Sequence, residues 1–161
     1  MILGMPTFTF IHVLLSLVGI AAGLIVALGL LASARFSALT ALFLATSVLT
    51  SATGFGFPFE GFKPSYVVGA ISLVVLIVAL YALYGRGLAG AWRPIYVITA
   101  VIALYLNVFV LIVQAFMKIP TLKDLAPTQS EPPFTLTQGV VLILFIVVAV
   151  VGALRFRPAP A

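Results

Sequence analysis

No charged residue precedes Arg35, and the stretch before it is overwhelmingly apolar. Similar uncharged runs recur four more times along the chain. A run of about 20 apolar residues is long enough to cross a hydrocarbon core of about 30 Å as a helix. This repetition limits the chain to one solution. In lipid every backbone N–H and C=O must be satisfied within its own segment, and a helix does this.

The spacing predicts spans over residues 8–34, 37–53, 65–84, 94–117 and 135–154. The fold class read from the sequence is therefore an all-α integral membrane protein. It is a bundle of five transmembrane helices, or four if the second and shortest span falls short of a full crossing. Residues 1–161 form a single domain. Composition agrees. Only 7% of residues are charged, 64% are hydrophobic, and the mean hydropathy is +1.36. Too few charges are present to cover a water-facing surface, which normally needs about 25%.

Local chemistry marks the boundaries. Pro94 suits the first turn of the fourth helix, where a missing N–H costs nothing. Pro120 closes that helix soon after Lys118. Ser65, after Pro64, is read as the N-cap of the third helix. Thr135 and Gln138 have the spacing of a capping box at the start of the fifth. Ala32-Ser33-Ala34 has the form of a cleavage site. However, no positive residue precedes the apolar run and the run is too long for a signal sequence, so it is read as a retained helix.

The eight basic residues are scattered singly and form no stripe, which excludes nucleic acid as a partner. They serve instead as topology signals. With five spans, Arg35, Arg86, Arg93, Arg155 and Arg157 share one side. Lys63, Lys118 and Lys123 share the other with Glu60, Asp124 and Glu131. This bias places the C-terminus in the cytoplasm and the N-terminus outside, in a bacterial inner membrane. Tyr81, Tyr84 and Trp92 form an inner aromatic belt. Phe8, Phe10, Phe55, Phe57 and Phe59 form part of the outer one.

The sequence also excludes chemistry. There are no cysteines, which removes disulfides, thiolate metal sites and thiol redox reactions. No carboxylate lies in a span, which argues against proton pumping and paired-carboxylate hydrolysis. No phosphate-binding glycine loop, HExxH or GxSxG occurs.

At 100° per residue the polar and small residues form stripes. His12, Ser16, Gly19 and Gly23 share one face of the first helix, with Gly19 and Gly23 in GxxxG spacing. Thr40, Ser47, Ser51 and Gly54 do so on the second, and Ser65, Gly69 and Ser72 on the third. Tyr96, Ala100, Asn107, Gln114 and Lys118 do so on the fourth. As bundle contacts, Gly19, Gly23, Gly69 and Ser72 let helices approach closely. Most strongly polar groups fall in the outer half. Unpartnered groups there would cost several kcal/mol in lipid, so they need one another, water or a ligand. The expectation is an outward-facing polar pocket built from His12, Ser51, Asn107, Gln114 and Lys118. The Gly/Phe run at residues 54–62 would partly roof it.

In size alone the chain resembles the tryptophan-rich sensory protein (translocator protein) family. It has a single tryptophan, Trp92, and no Trp- and Pro-rich segment after the first helix, so no residue role is carried over.

The first functional reading is a non-enzymatic membrane protein with no assigned cofactor. Its partners would be the bilayer, with a small hydrophobic or lipid-like ligand, a membrane-protein partner or a second copy of the chain. The alternative is a redox component binding quinone or haem through His12, the single histidine. A third reading is a channel or facilitator past Asn107 and Thr99.

Overall fold

The computed structural model of the chain describes residues 1–58, 61 and 63–159. It is all-helical, with 78% of residues in helices and no strand among the described residues. Five helices are long and apolar enough to cross a membrane: α1 (Thr7–Leu31), α2 (Ser37–Gly54), α3 (Pro64–Leu80), α4 (Trp92–Lys118) and α6 (Pro132–Arg155). A short α5 (Pro120–Leu125) lies between the last two. The second helix, which the sequence left in question, has 18 residues and the lowest hydropathy of the five. At about 1.5 Å per residue it is about 27 Å long, just short of the nominal core.

The helix ends correct two sequence expectations. Ser65 does not cap α3. Lys63 occupies the N-cap position and Pro64 takes the first turn, where proline is preorganised. Thr135 and Gln138 form no capping box, because α6 starts three residues earlier on Pro132-Pro133. The Thr135 hydroxyl instead donates to the carbonyls of Glu131 and Pro132. Phe59 of the expected outer belt falls outside the described residues.

Packing follows the small residues. α1 lies along α2, α2 along α3, and α3 along α4, which also reaches α1 through the centre. Gly23 makes that crossing feasible. A Cβ there would fall 2.5 Å from Leu104 Cδ1 and 2.8 Å from the Phe43 ring. Gly19 is similarly close to the Thr46 hydroxyl, at 2.9 Å. α6 sits outside this group, against α4 and α1, and leaves most of its surface uncovered.

The dense core occupies the half of the bundle that carries the arginine-bearing connections. Phe43, Leu44, Leu76, Tyr96, Val97 and Leu104 are all essentially inaccessible there. The chain closes this end with its own tail. Phe156 is buried against Tyr96, with ring centroids 6.2 Å apart, and the Arg157 N–H donates to Ser33 Oγ at 2.8 Å.

Candidate functional site

The opposite half is less completely filled. A cavity of about 100 Å³ lies there among α1, α2, α3 and α4. His12 and Ser16 come from α1, Thr50 and Ser51 from α2, Ser65, Tyr66 and Ser72 from α3, and Asn107 from α4. These residues converge because the helices alternate in direction. The start of α1, the end of α2, the start of α3 and the second half of α4 meet at one level.

Each polar group can be traced to a partner or to the lack of one. His12 Nδ1 lies 2.8 Å from Thr53 Oγ1. That hydroxyl donates its only proton to the α2 backbone, at Leu49 O (2.7 Å) with a longer share to Thr50 O (3.2 Å). With that proton on the backbone, Thr53 would accept from His12 Nδ1, and Nε2 would be left as the acceptor of a neutral ring. Phe57 packs edge-on against the imidazole, with centroids 5.1 Å apart, and so limits its rotation. At the cavity floor Asn107 Nδ2 donates to Ser47 Oγ at 3.0 Å.

Thr50 is different. Thr46, Thr53, Thr99 and Thr137 each return the hydroxyl proton to a backbone carbonyl four residues earlier. Thr50 lines the cavity, and its Oγ1 is shielded and has no partner among the described residues. A hydroxyl without a partner in an apolar bundle is costly.

Phe55 forms part of the wall. Its ring lies over Gly69, where a Cβ would be 3.2 Å away, and stacks on Tyr66 at 5.8 Å with planes 27° apart. Gly56 lets the chain fold back under Phe8, which contacts Phe57 at 5.0 Å. The beginning of the Gly/Phe run is thus packed onto the first turns of α1 and α3.

Of the five residues singled out from the sequence, the structure brings His12, Ser51 and Asn107 to the cavity. Gln114 and Lys118 are exposed and lie outside it. The α4 lining stops at Val110. Beyond it Phe116 is buried edge-on against Phe134, and Val113 O accepts from Gln129 Nε2. A helical wheel treats the whole of α4 as one face and cannot register where along the helix the cavity ends. Gln138, also noted at this depth, is buried and donates to Phe109 O at 3.2 Å. It fastens α6 to α4 and does not line the cavity.

The pocket residues singled out from the sequence did not include Ser16, Thr50, Ser65, Tyr66 and Ser72, while Phe55 belongs to the run expected to roof the pocket. The signal for two of them was present. Ser65 and Ser72 are one heptad apart on the stripe of α3, but that stripe was assigned wholly to helix contact. Among the described residues no cluster of three or more histidine, aspartate or glutamate side chains is positioned to hold a metal ion. No known protein family, curated protein or solved structure matches this chain.

Proposed function

We propose that the chain is an integral membrane protein with its N-terminus outside and its C-terminus in the cytoplasm. Its outer half carries a polar cavity for a small or lipid-like ligand, and it acts by binding and not by catalysis. One observation carries this reading. The cavity is lined by Thr50, whose shielded hydroxyl has no partner among the described residues, and by His12, which lies within hydrogen-bond distance of Thr53. The lining carries no Asp, Glu, Lys or Arg, so it favours a neutral group that both donates and accepts hydrogen bonds. A volume of about 100 Å³ holds a few waters or a small head group. It is well below the roughly 300 Å³ at which drug-sized pockets begin.

The Phe55–Tyr66 stack favours a second reading, in which a planar carbonyl-bearing ring such as a quinone head group lies against the wall. Gly19 and Gly23 act in this proposal as a GxxxG contact that holds α1 close to α2 and α4.

Native mass spectrometry of the gently extracted protein tests the proposal. The expected result is a reproducible added mass that Thr50→Val and His12→Leu each reduce. A bare protein mass, or an adduct indifferent to both substitutions, would count decisively against the cavity as a binding site.

A further inference from the structure

The arginine-bearing end has a second built arrangement, unrelated to the cavity. α3 does not finish as a regular helix. Its last turn, Tyr81–Gly85, widens into a π-helical turn, with the Arg86 N–H donating to Tyr81 O at 2.9 Å. Such widened turns are rare and often found at functional sites. Here the turn lays the Tyr81 ring across Gly85, where a Cβ would fall 2.7 Å from it. Tyr81 then meets Trp92 edge-on, with centroids 5.1 Å apart and planes at 84°. The Arg86 guanidinium sits over the same Trp92 ring at 5.7 Å.

Arg93 follows directly, in the first turn of α4. Its side chain is half-buried, and its Nε is shielded with no acceptor among the described residues. The guanidinium is therefore held against the protein without a compensating charge. No carboxylate lies on the connections at this end, since Glu60, Asp124 and Glu131 all belong to the opposite one. Arg35, Arg155 and Arg157 add to the unbalanced positive field. Beside this cluster an exposed stripe of α3 runs toward mid-membrane depth through Tyr84, Tyr81, Ile77 and Val74, the last two more than 60% exposed. An anion with an attached hydrocarbon chain matches both parts, the cationic head and the apolar track.

We propose that Arg86, Trp92 and Arg93 bind the phosphate head group of an anionic phospholipid of the inner leaflet. The acyl chains lie along the Tyr81–Ile77–Val74 face. Trp92 keeps the Arg86 guanidinium at the interface, and Arg93 supplies the second cationic contact. This site rests on the reading of the chain as membrane-spanning with this end cytoplasmic.

The test uses the full chain in detergent, with phosphatidylglycerol and phosphatidylcholine as probes in native mass spectrometry. Phosphatidylglycerol is expected to bind preferentially. The Arg86→Gln/Arg93→Gln double variant should weaken it by about thirtyfold, since each basic contact near anionic lipid contributes roughly equally. Arg155→Gln/Arg157→Gln removes the same charge and should change binding by less than about threefold. Equal losses in the two doubles would reduce the effect to diffuse charge and overturn the site. Complete displacement of the lipid by millimolar inorganic phosphate would overturn the lipid assignment in favour of a free anion. If the double variant loses helicity, Arg86→Gln alone, at an exposed position, should still weaken binding about fivefold. Carbonate extraction separates the premises. A chain released from membranes overturns the membrane reading. A retained chain without phosphatidylglycerol preference overturns this site alone.

Discussion

The two halves of the bundle are built by the same helices but packed on different terms. In the arginine-bearing half Phe43, Leu76, Tyr96 and Leu104 interdigitate with nothing left over, and Phe156 seals the end. In the other half, serines, threonines, a histidine and an asparagine surround a space that the protein does not fill. Large apolar side chains fill space with dispersion contacts in every direction. Hydroxyls and amides fill it only where a directional partner is available. Small polar residues on four helices at one level therefore leave a hollow, and large apolar ones close it.

The contrast can be broken most severely at the crossing of α1 and α4. Gly23→Leu should destabilise the bundle by about 3 kcal/mol, because Leu104 and the Phe43 ring already occupy the space. Thermal unfolding in detergent would measure it, and an unchanged midpoint would deny that this contact organises the fold. Phe43→Ala comes next, at about 2 kcal/mol. In the proposed membrane setting the transfer contribution largely drops out and the cost of the void remains.

At the hollow end the signs differ. Asn107→Leu removes the donor to Ser47 and should cost about 1 kcal/mol, within the range of hydrogen bonds between membrane helices. Thr50→Val deletes a hydroxyl that has no partner. It should leave stability unchanged or raise it by up to about 1 kcal/mol, while binding falls. A clear loss of stability on Thr50→Val would mean that the hydroxyl is satisfied after all, and the two halves would then be packed on the same terms.

The smallest effect lies outside the spans, in the connection before α6. Glu131 accepts from the Thr128 hydroxyl at 2.7 Å and from the backbone N–H groups of Thr128 and Ser130. The Thr128 hydroxyl bond foremost, then these backbone bonds, hold its carboxyl below the usual carboxylate range. A carboxylate with a lowered folded-state pKa stabilises above the unfolded-state value, and the contribution disappears as pH falls through the lowered one. Order in residues 128–131 should therefore loosen only under acidic conditions, and Thr128→Ala should move that transition upward in pH. Amide exchange of Ser130 against pH would report it. A transition that Thr128→Ala leaves in place would assign the acid sensitivity to another group.

Much of this architecture was legible in the chain before any coordinates. Uncharged runs near the thickness of a bilayer matched the five long apolar helices, because length and apolarity are properties of a segment by itself. The placement of His12, Ser51 and Asn107 at one end of the bundle followed from counting along alternating helices. Capping was less legible, since Ser65 and Thr135 carry the right chemistry but prolines just ahead of them start the helix sooner.

What the sequence determined by itself was the class of the molecule, its five apolar helices and the end at which each polar group lies. The tertiary structure alone decided which of those groups meet. Gln114 and Lys118 share a wheel with Asn107 yet are exposed beyond Val110, where the α4 lining of the cavity ends. Thr50 differs from Thr46, Thr53, Thr99 and Thr137 in that its hydroxyl has no partner among the described residues. Direction along a helix follows from local periodicity, but partnership across helices depends on which backbones approach closely, and Gly23 and its neighbours settle that jointly.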